Sequence, residues 1–458
     1  LHRAHQSNHS LHSPRRVVIV KIAFVHLPFG HRTFSENLKV VDEEFILSPP
    51  IILSYVASIA EQAGHEVTII DVHSLRLSRQ EAVQRIREFG AEALCFRLDV
   101  YGFQQAMDWI HHLKAETGLP VITGGVALHD YARDVMTRRD IDYGITSEAI
   151  GRLPRLLQAL EWGARPKGID GLAYREGDEV VITPPDGSLT PFDDFPWPAR
   201  HHLPNHVYRS FVSQRRNFTV MLTSTGCPFK CVYCAIVKVP YRFRDPAKVV
   251  DEIEHCVKEH GVREIDFFDA SFFVSRKRSL RMLDLLTRRN LDVEWTCRSR
   301  VDHVDDELLA AAHRAGCRMI YYGIESGSHA ILHNVHKRIT TDQTRLAIRA
   351  TKRQGIRALG FLMVGNPGET RETIRQTIRF AKSLRLDYVQ ICRTIAKPRT
   401  DLDEQLKQHT GRDYWAEFIR GERGEERLPM PWIDMPQDQL EDELKRAYYA
   451  FYFRPGYI

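Results

Sequence analysis

Three cysteines in the run Cys227-Pro-Phe-Lys-Cys231-Val-Tyr-Cys234 are the residues of this chain whose type and spacing could do chemistry. They follow an apolar, strand-like stretch over 218–223 and a glycine, and no fourth cysteine stands nearby in the sequence. Structural zinc sites and ordinary iron–sulfur clusters take four protein ligands. Three thiolates on one short loop can instead hold a four-iron cluster whose remaining iron is open to chelate a small molecule. That arrangement points to an enzyme. A zinc loop completed by a residue distant in sequence is the alternative.

Such a loop needs a scaffold, and 458 residues are enough for two or more domains. Apolar content of 43% and charge of 27% are those of a soluble globular protein. Lys plus Arg outnumber Asp plus Glu by 64 to 59, interspersed, which is no nucleic-acid footprint. No apolar run approaches the ~18 residues of a membrane span. Eight cysteines are too sparse for a disulfide framework, so a reducing cytoplasm is expected.

Residues 1–16, with His2, His5, His9 and His12, lack apolar periodicity and read as a disordered tail. From 17 to 165, apolar strands at 21–28, 66–71, 93–100, 120–125 and 142–146 alternate with helices at 51–63, 79–89, 102–116 and 131–138. This α/β pattern predicts a doubly wound, Rossmann-like parallel sheet, whose ligands bind beyond the carboxyl ends of its strands. The proline-rich stretch 166–215, with two short β-like pieces, reads as a connector. Between 216 and 399 there are six β/α steps, counting the strand before Cys227. They are too few for an eightfold barrel and predict an open, partial (β/α)6 one with functional groups at its strand ends. The segment 400–458 is helical and aromatic, and its helix at 437–453 is expected to pack on the barrel.

With an aromatic residue, Tyr233, ahead of the last cysteine, the cysteine spacing resembles that of the radical S-adenosylmethionine (SAM) enzymes. The resemblance implies that Cys227, Cys231 and Cys234 ligate a 4Fe–4S cluster and that SAM chelates its open iron. One electron, from a donor such as flavodoxin or ferredoxin, would then cleave SAM to a 5′-deoxyadenosyl radical. Gly323-Ile-Glu325-Ser326-Gly327 resembles a family segment whose side chains meet SAM, and a carboxylate can accept from ribose hydroxyls or an ammonium. Arg300 is then placed to pair with the SAM carboxylate. The run from Gly365 to Thr370 resembles a turn near the adenine, in which Glu369 serves equally as a first-turn helix residue. Asp269 matches one acidic position of a segment that often carries two, Ala270 holding the second place. Asp266 reads as an ordinary polar strand residue, and Cys256, Cys297, Cys317 and Cys392 as small buried ones.

A doubly wound domain ahead of such a barrel resembles the cobalamin-binding radical SAM family over about residues 20–455. The likeness includes the Ser48-Pro-Pro-Ile-Ile-Leu stretch, the pair Gly124-Gly125, the phrase Phe192-Asp-Asp-Phe-Pro-Trp-Pro-Ala-Arg-His and the terminal Phe453-Arg-Pro. Paired glycines suit close passage of a flat corrin or its nucleotide tail, which makes Gly124 and Gly125 cobalamin contacts. Asp71-Val-His73 is similar to a cobalt-ligating motif of other cobalamin proteins, but it follows the second strand rather than the first. Arg76 also stands where that motif needs glycine, so His73 is not expected to bind cobalt. The bulky Phe96-Arg97-Leu98-Asp99 bears on the cobalt's lower face. The resemblance implies a cobalamin-dependent C-methyltransferase acting on an unactivated carbon of a small molecule. A cyclase or ring-rearranging enzyme that does not methylate, a cobalamin-binding sensor, and a radical SAM enzyme with a vestigial sheet domain are the alternatives. No residue is singled out as catalytic.

Overall fold

The computed structural model describes residues 20–28, 47–161, 163–210, 212–424 and 426–454, so the tail expected over 1–16 lies outside the described residues. The first sheet is built from β1 (Lys21–His26), β2 (Glu66–Asp71), β3 (Ala93–Arg97), β4 (Val121–Gly124), β5 (Tyr143–Ile145), β6 (Leu172–Glu176) and β7 (Glu179–Ile182). Its order is β2-β1-β3-β4-β5-β6-β7, the first five strands being parallel. Along β1 the side chains alternate between two cores. Ala23 and Val25 face α2 (Arg79–Phe89) and α3 (Phe103–Thr117), while Ile22 and Phe24 face α1 (Ile51–Gln62) and α5 (Leu153–Glu161). Both faces are therefore covered, as a parallel sheet requires.

Two sequence expectations shift. Part of the stretch expected as a connector joins this sheet, because β6 pairs antiparallel with β5 and β7 with β6. Strand pairing is a long-range choice that local composition does not carry. The helix expected at 131–138 is α4 (Val126–Val135), which starts directly after Gly125 and kinks at Tyr131 (φ −133°).

The second sheet is β15-β14-β13-β12-β11-β8, six parallel strands. They are β8 (Phe218–Met221), β11 (Glu264–Phe267), β12 (Glu294–Ser299), β13 (Cys317–Glu325), β14 (Arg357–Val364) and β15 (Tyr388–Arg393). Helices α6 (Pro246–Glu259), α7 (Arg276–Arg289), α8 (Asp306–Arg314), α9 (His329–Asn334), α10 (Thr341–Arg353) and α11 (Arg371–Ser383) alternate with them. Their starts are capped as the sequence dictates: Asp245 caps α6 ahead of Pro246, and Thr340 with Gln343 forms a capping box on α10. Ile265, Phe267, Trp295, Ile320 and Tyr322 face the helices. Met319, Tyr321, Leu359 and Phe361 fill part of the concave side. This is the partial barrel that six β/α steps predict.

The C-terminal segment divides. Helix α14 (Gln437–Tyr452) packs on the barrel, as expected, and its Tyr448 and Tyr452 hydroxyls bond the edge-strand backbone at Ile391 and Val389. Helices α12 (Asp401–Thr410) and α13 (Tyr414–Arg420) turn instead to the first sheet's helices. There Trp415, Phe418 and Ile419 share a core with Ala127 and Leu128. Among the described residues no helix is long and apolar enough to cross a membrane.

A buried carboxylate locks the two halves together. Glu252 of α6 is fully buried and accepts from Arg200, in the segment linking the sheets, at 2.6 Å and from Arg244 at 2.5 Å. Burial pushes the Glu252 carboxyl up, and the two guanidinium groups outweigh it, holding it below its ordinary value. Glu252→Ala strands two buried cations and should lower unfolding free energy by about 3–5 kcal/mol. Glu252→Gln, which keeps an acceptor, should cost less, and urea denaturation followed by circular dichroism measures both.

Candidate active site

The cysteines lie where β8 ends. Asp269, just past β11, is fully buried and accepts from the Thr223 and Ser224 amides at 2.7 and 3.1 Å and from the Thr223 hydroxyl at 2.5 Å. Its carboxylate thus fixes the strand end that launches the loop, while burial pushes its acidity down. A two-residue antiparallel ladder, β9 (Ser224–Thr225) against β10 (Arg242–Phe243), closes the loop at its base. Gly226 has φ +71°, and a Cβ there would overlap the Val239 and Pro240 carbonyl oxygens. Further out, the Val232 amide bonds the Val335 carbonyl (3.3 Å), and the Leu402 amide of α12 bonds the Val232 carbonyl (3.4 Å).

Burial pushes the Cys227, Cys231 and Cys234 thiols up. Arg300 and Lys337 oppose the shift at Cys227, Lys337 at Cys231 and Lys397 at Cys234. Metal ligation takes the thiolate, so these cations favour the ligating form.

Beside the loop, β13 ends in a bulge at Gly323 and Glu325. Glu325 takes a left-handed φ of +62°, a conformation unfavourable for a side chain of its size and concentrated at functional sites. Its carboxylate accepts from Lys337 Nζ at 2.7 Å, both side chains being buried. Burial first and the Glu325 charge next push the Tyr233 phenol's pKa up. Arg300, also buried, lies 4.0 Å from the centroid of the Phe229 ring inside the cysteine loop. Its fork bonds both Asp302 oxygens at 2.9 Å and the Lys337 carbonyl at 2.9 Å.

Two cavities lie between the halves. One, of about 410 Å³, is walled by His26, His73, Arg97 and Asp99 at the first sheet's strand ends and by Phe268 of the barrel. Phe268 is exposed there, with the Arg298 guanidinium 4.0 Å from its ring centroid. The other, of about 260 Å³, is an apolar slot between α1 and the ends of β3, β4 and β5, closed by Leu222, Thr225 and Arg242 of the barrel. Gly124 and Gly125 line it. Gly125 has φ +109°, and an added Cβ would meet the Leu98 carbonyl at 2.5 Å. Four buried polar atoms of the slot's lining residues, Tyr55 Oη, Ser147 Oγ, Thr225 Oγ1 and Arg242 Nε, have no hydrogen-bond partner among the described residues. Buried polar atoms are rarely left so unless a ligand or water serves them.

Of the residues singled out from sequence, Cys227, Cys231, Cys234, Tyr233, Glu325 and Arg300 gather around one loop. Gly124 and Gly125 stand apart, at the slot. Asp269 is spent on the strand end, and the Ser326 hydroxyl is buried on Thr377 Oγ1 (2.9 Å). Gly365 ends β14, and its carbonyl accepts from the Trp432 indole at 2.8 Å. Sequence reasoning missed Lys337 and Asp302, the partners of Glu325 and Arg300. Asp266, expected as an ordinary polar strand residue, lies in β11 and accepts from Arg298 at 2.6 Å and 3.0 Å. Buried charges demand such counterions, but nothing local in the sequence says which residues supply them.

The radical SAM superfamily model matches residues 221–381, and the B12-binding domain model matches 46–157. An uncharacterized methyltransferase of Pyrococcus horikoshii is 31% identical over 89% of this chain and 88% of its own length. The chain belongs to the cobalamin-binding radical SAM family. An anaerobic magnesium-protoporphyrin IX monomethyl ester cyclase of Rubrivivax gelatinosus is 26% identical over 78% of this chain and 66% of its own. The fold is shared with the radical SAM methyltransferase TsrM of Kitasatospora setae, solved with cobalamin and its 4Fe–4S cluster bound. That match has a TM-score of 0.67 at 20% identity and covers 85% of this chain and 76% of that one. The cofactors of this radical SAM enzyme are therefore a 4Fe–4S cluster, SAM and cobalamin. The residues present fit them: three unpaired cysteines carried by one loop suit the cluster, and a slot with a glycine floor and unpartnered polar atoms suits part of a large amide-rich cofactor.

Glu369 yields a pH test. Buried, and bonded to the Asn366 amide and side chain (3.0 and 3.2 Å), it has its carboxyl pushed up from 4.5 to about 7 by desolvation. A raised folded-state pKa gives stability that is full below 4.5 and lost as pH rises through about 7. Glu369→Gln should match the parent chain in acid and exceed it above neutrality by up to about 3 kcal/mol, in urea titrations at several pH values.

Proposed function

We propose that this chain is a cobalamin-dependent radical SAM C-methyltransferase acting on an unactivated carbon of a small molecule. What carries the reading is the opposition of the parallel strands of two sheets. The carboxyl ends of one present the cysteine loop, those of the other present Gly124-Gly125, and the cavities lie between them. When bound, the cluster and SAM supply a hydrogen-abstracting deoxyadenosyl radical, and cobalamin supplies a transferable methyl group. The chain's own part is to hold, orient and shield. In this reading Cys227, Cys231 and Cys234 hold the cluster, Glu325 and Tyr233 orient SAM, and Gly124 and Gly125 admit the cobalamin tail. Arg300 serves SAM through the loop it stacks on, its fork being closed on Asp302. Ser326 and Asp269 keep the strand ends in place, and Gly365 shapes the turn nearest the adenine.

An electron donor of the flavodoxin or ferredoxin type, in a reducing cytoplasm, completes the proposal. TsrM has also been solved with tryptophan as its substrate, which supports a small-molecule substrate here. The cyclase relative keeps a second reading, oxidative cyclisation without methylation.

Anaerobic reconstitution with iron, sulfide and hydroxocobalamin, then reduction with SAM present, should yield both 5′-deoxyadenosine and S-adenosylhomocysteine. Deoxyadenosine without S-adenosylhomocysteine would favour the cyclase reading, and neither product would remove both. Cys227→Ala should abolish deoxyadenosine. Gly125→Leu should lose the corrinoid absorbance band while retaining the parent's iron content.

A further inference from the structure

Away from the cavities, helix α1 and the segment linking the two sheets meet in a cluster of metal-ligating groups. The Nε2 atoms of His201 and His202 converge on one oxygen of Glu61, at 2.9 and 2.8 Å. The two imidazole centroids are 4.2 Å apart. All three ligand atoms lie within 4.8 Å of one another, so small rotations bring them to the ~2.0–2.2 Å of a first-row metal bond. Two imidazoles and a carboxylate oxygen are a donor set that zinc and its neighbours accept, with water completing the coordination. Glu61 and His202 are partly buried, while His201 is more than half exposed, which leaves a path from solvent.

The backbone presents the set. Ala199, just before the turn, donates its amide to the Ser54 carbonyl at 3.0 Å, docking the turn on α1. Ser54 and Glu61 are seven residues apart, so two helical turns along the same face bring Glu61 under the imidazoles. Arg200, the first residue of the turn, points its guanidinium away to Glu252 and to the Val220 carbonyl of β8, at 2.6 and 3.1 Å. It thus ties the turn to the barrel.

We propose that Glu61, His201 and His202 form a binding site for a divalent first-row cation of the zinc class, pinning α1 to the turn that anchors the barrel. The proposal is independent of the reaction the cavities support.

The test uses the full chain with its cluster reconstituted, dialysed anaerobically against buffered zinc, with zinc and iron counted by mass spectrometry. The parent chain should retain one zinc more than His201→Gln/His202→Gln and one more than Glu61→Gln. Zinc should raise the melting temperature of the parent but of neither variant. His2, His5, His9 and His12 are common to all three proteins and cancel in the difference. Unchanged iron content and far-ultraviolet circular dichroism show that the variants are folded; if they fail this, Glu61→Asp, which keeps a carboxylate, should show at least tenfold weaker zinc binding. Equal zinc in the parent and the folded variants would overturn the site and leave two hydrogen bonds to a shared carboxylate.

Discussion

A carboxylate without solvent holds the molecule's two halves in one relation. Glu252 lies in the barrel's first helix, Arg244 enters that helix, and Arg200 comes from the chain that links the sheets. Each charge is costly to bury alone, and the three together are tolerated only in this geometry. The slot closed by Thr225 and Arg242, and the larger cavity closed by Phe268, both need barrel residues opposite the first sheet's strand ends. Moving one half would open both.

Parallel strands supply the rest. All six barrel strands end on one rim, so the cysteine loop, Arg300, Glu325 and Gly365 share it. Glu325 is placed there at a conformational cost, its carboxylate stabilised by Lys337. The loop is in turn strapped to α12, whose neighbour α13 shares a core with α4 of the first sheet. Val232 and Tyr233 of the loop pack in one core with Leu98, Val100 and Tyr101 of the first half, so the first sheet and the cysteine loop are neighbours. In the proposed reading, the division of labour between the two cofactors has a structural counterpart, the cysteine loop belonging to one half and the slot lined by Gly124 and Gly125 lying mainly in the other.

Much of this was legible in the sequence because it is local. Apolar runs and capping residues gave the strands and helices, and the cysteine spacing marked the loop. What was illegible joins residues far apart. The Arg300 guanidinium donates to the Lys337 carbonyl, 37 residues on. That Lys337 answers Glu325 requires the path of the chain around α9. The first sheet's fifth strand and the β-like pieces that became its sixth and seventh were visible separately, but that β6 would pair with β5 was not. Asp269 matched an acidic position of a family segment and so read as a SAM or substrate contact; in the structure its carboxylate holds the adjacent strand end.

The central claim is that cluster and cobalamin occupy one space between the sheets, and magnetic resonance tests it directly. Cob(II)alamin is paramagnetic, and so is the singly reduced cluster. In the doubly loaded protein, reducing the cluster should speed the spin relaxation of cob(II)alamin, and the triple variant Cys227→Ala/Cys231→Ala/Cys234→Ala should abolish that enhancement. A cob(II)alamin signal bound stoichiometrically but indifferent to the state of the cluster would contradict the account.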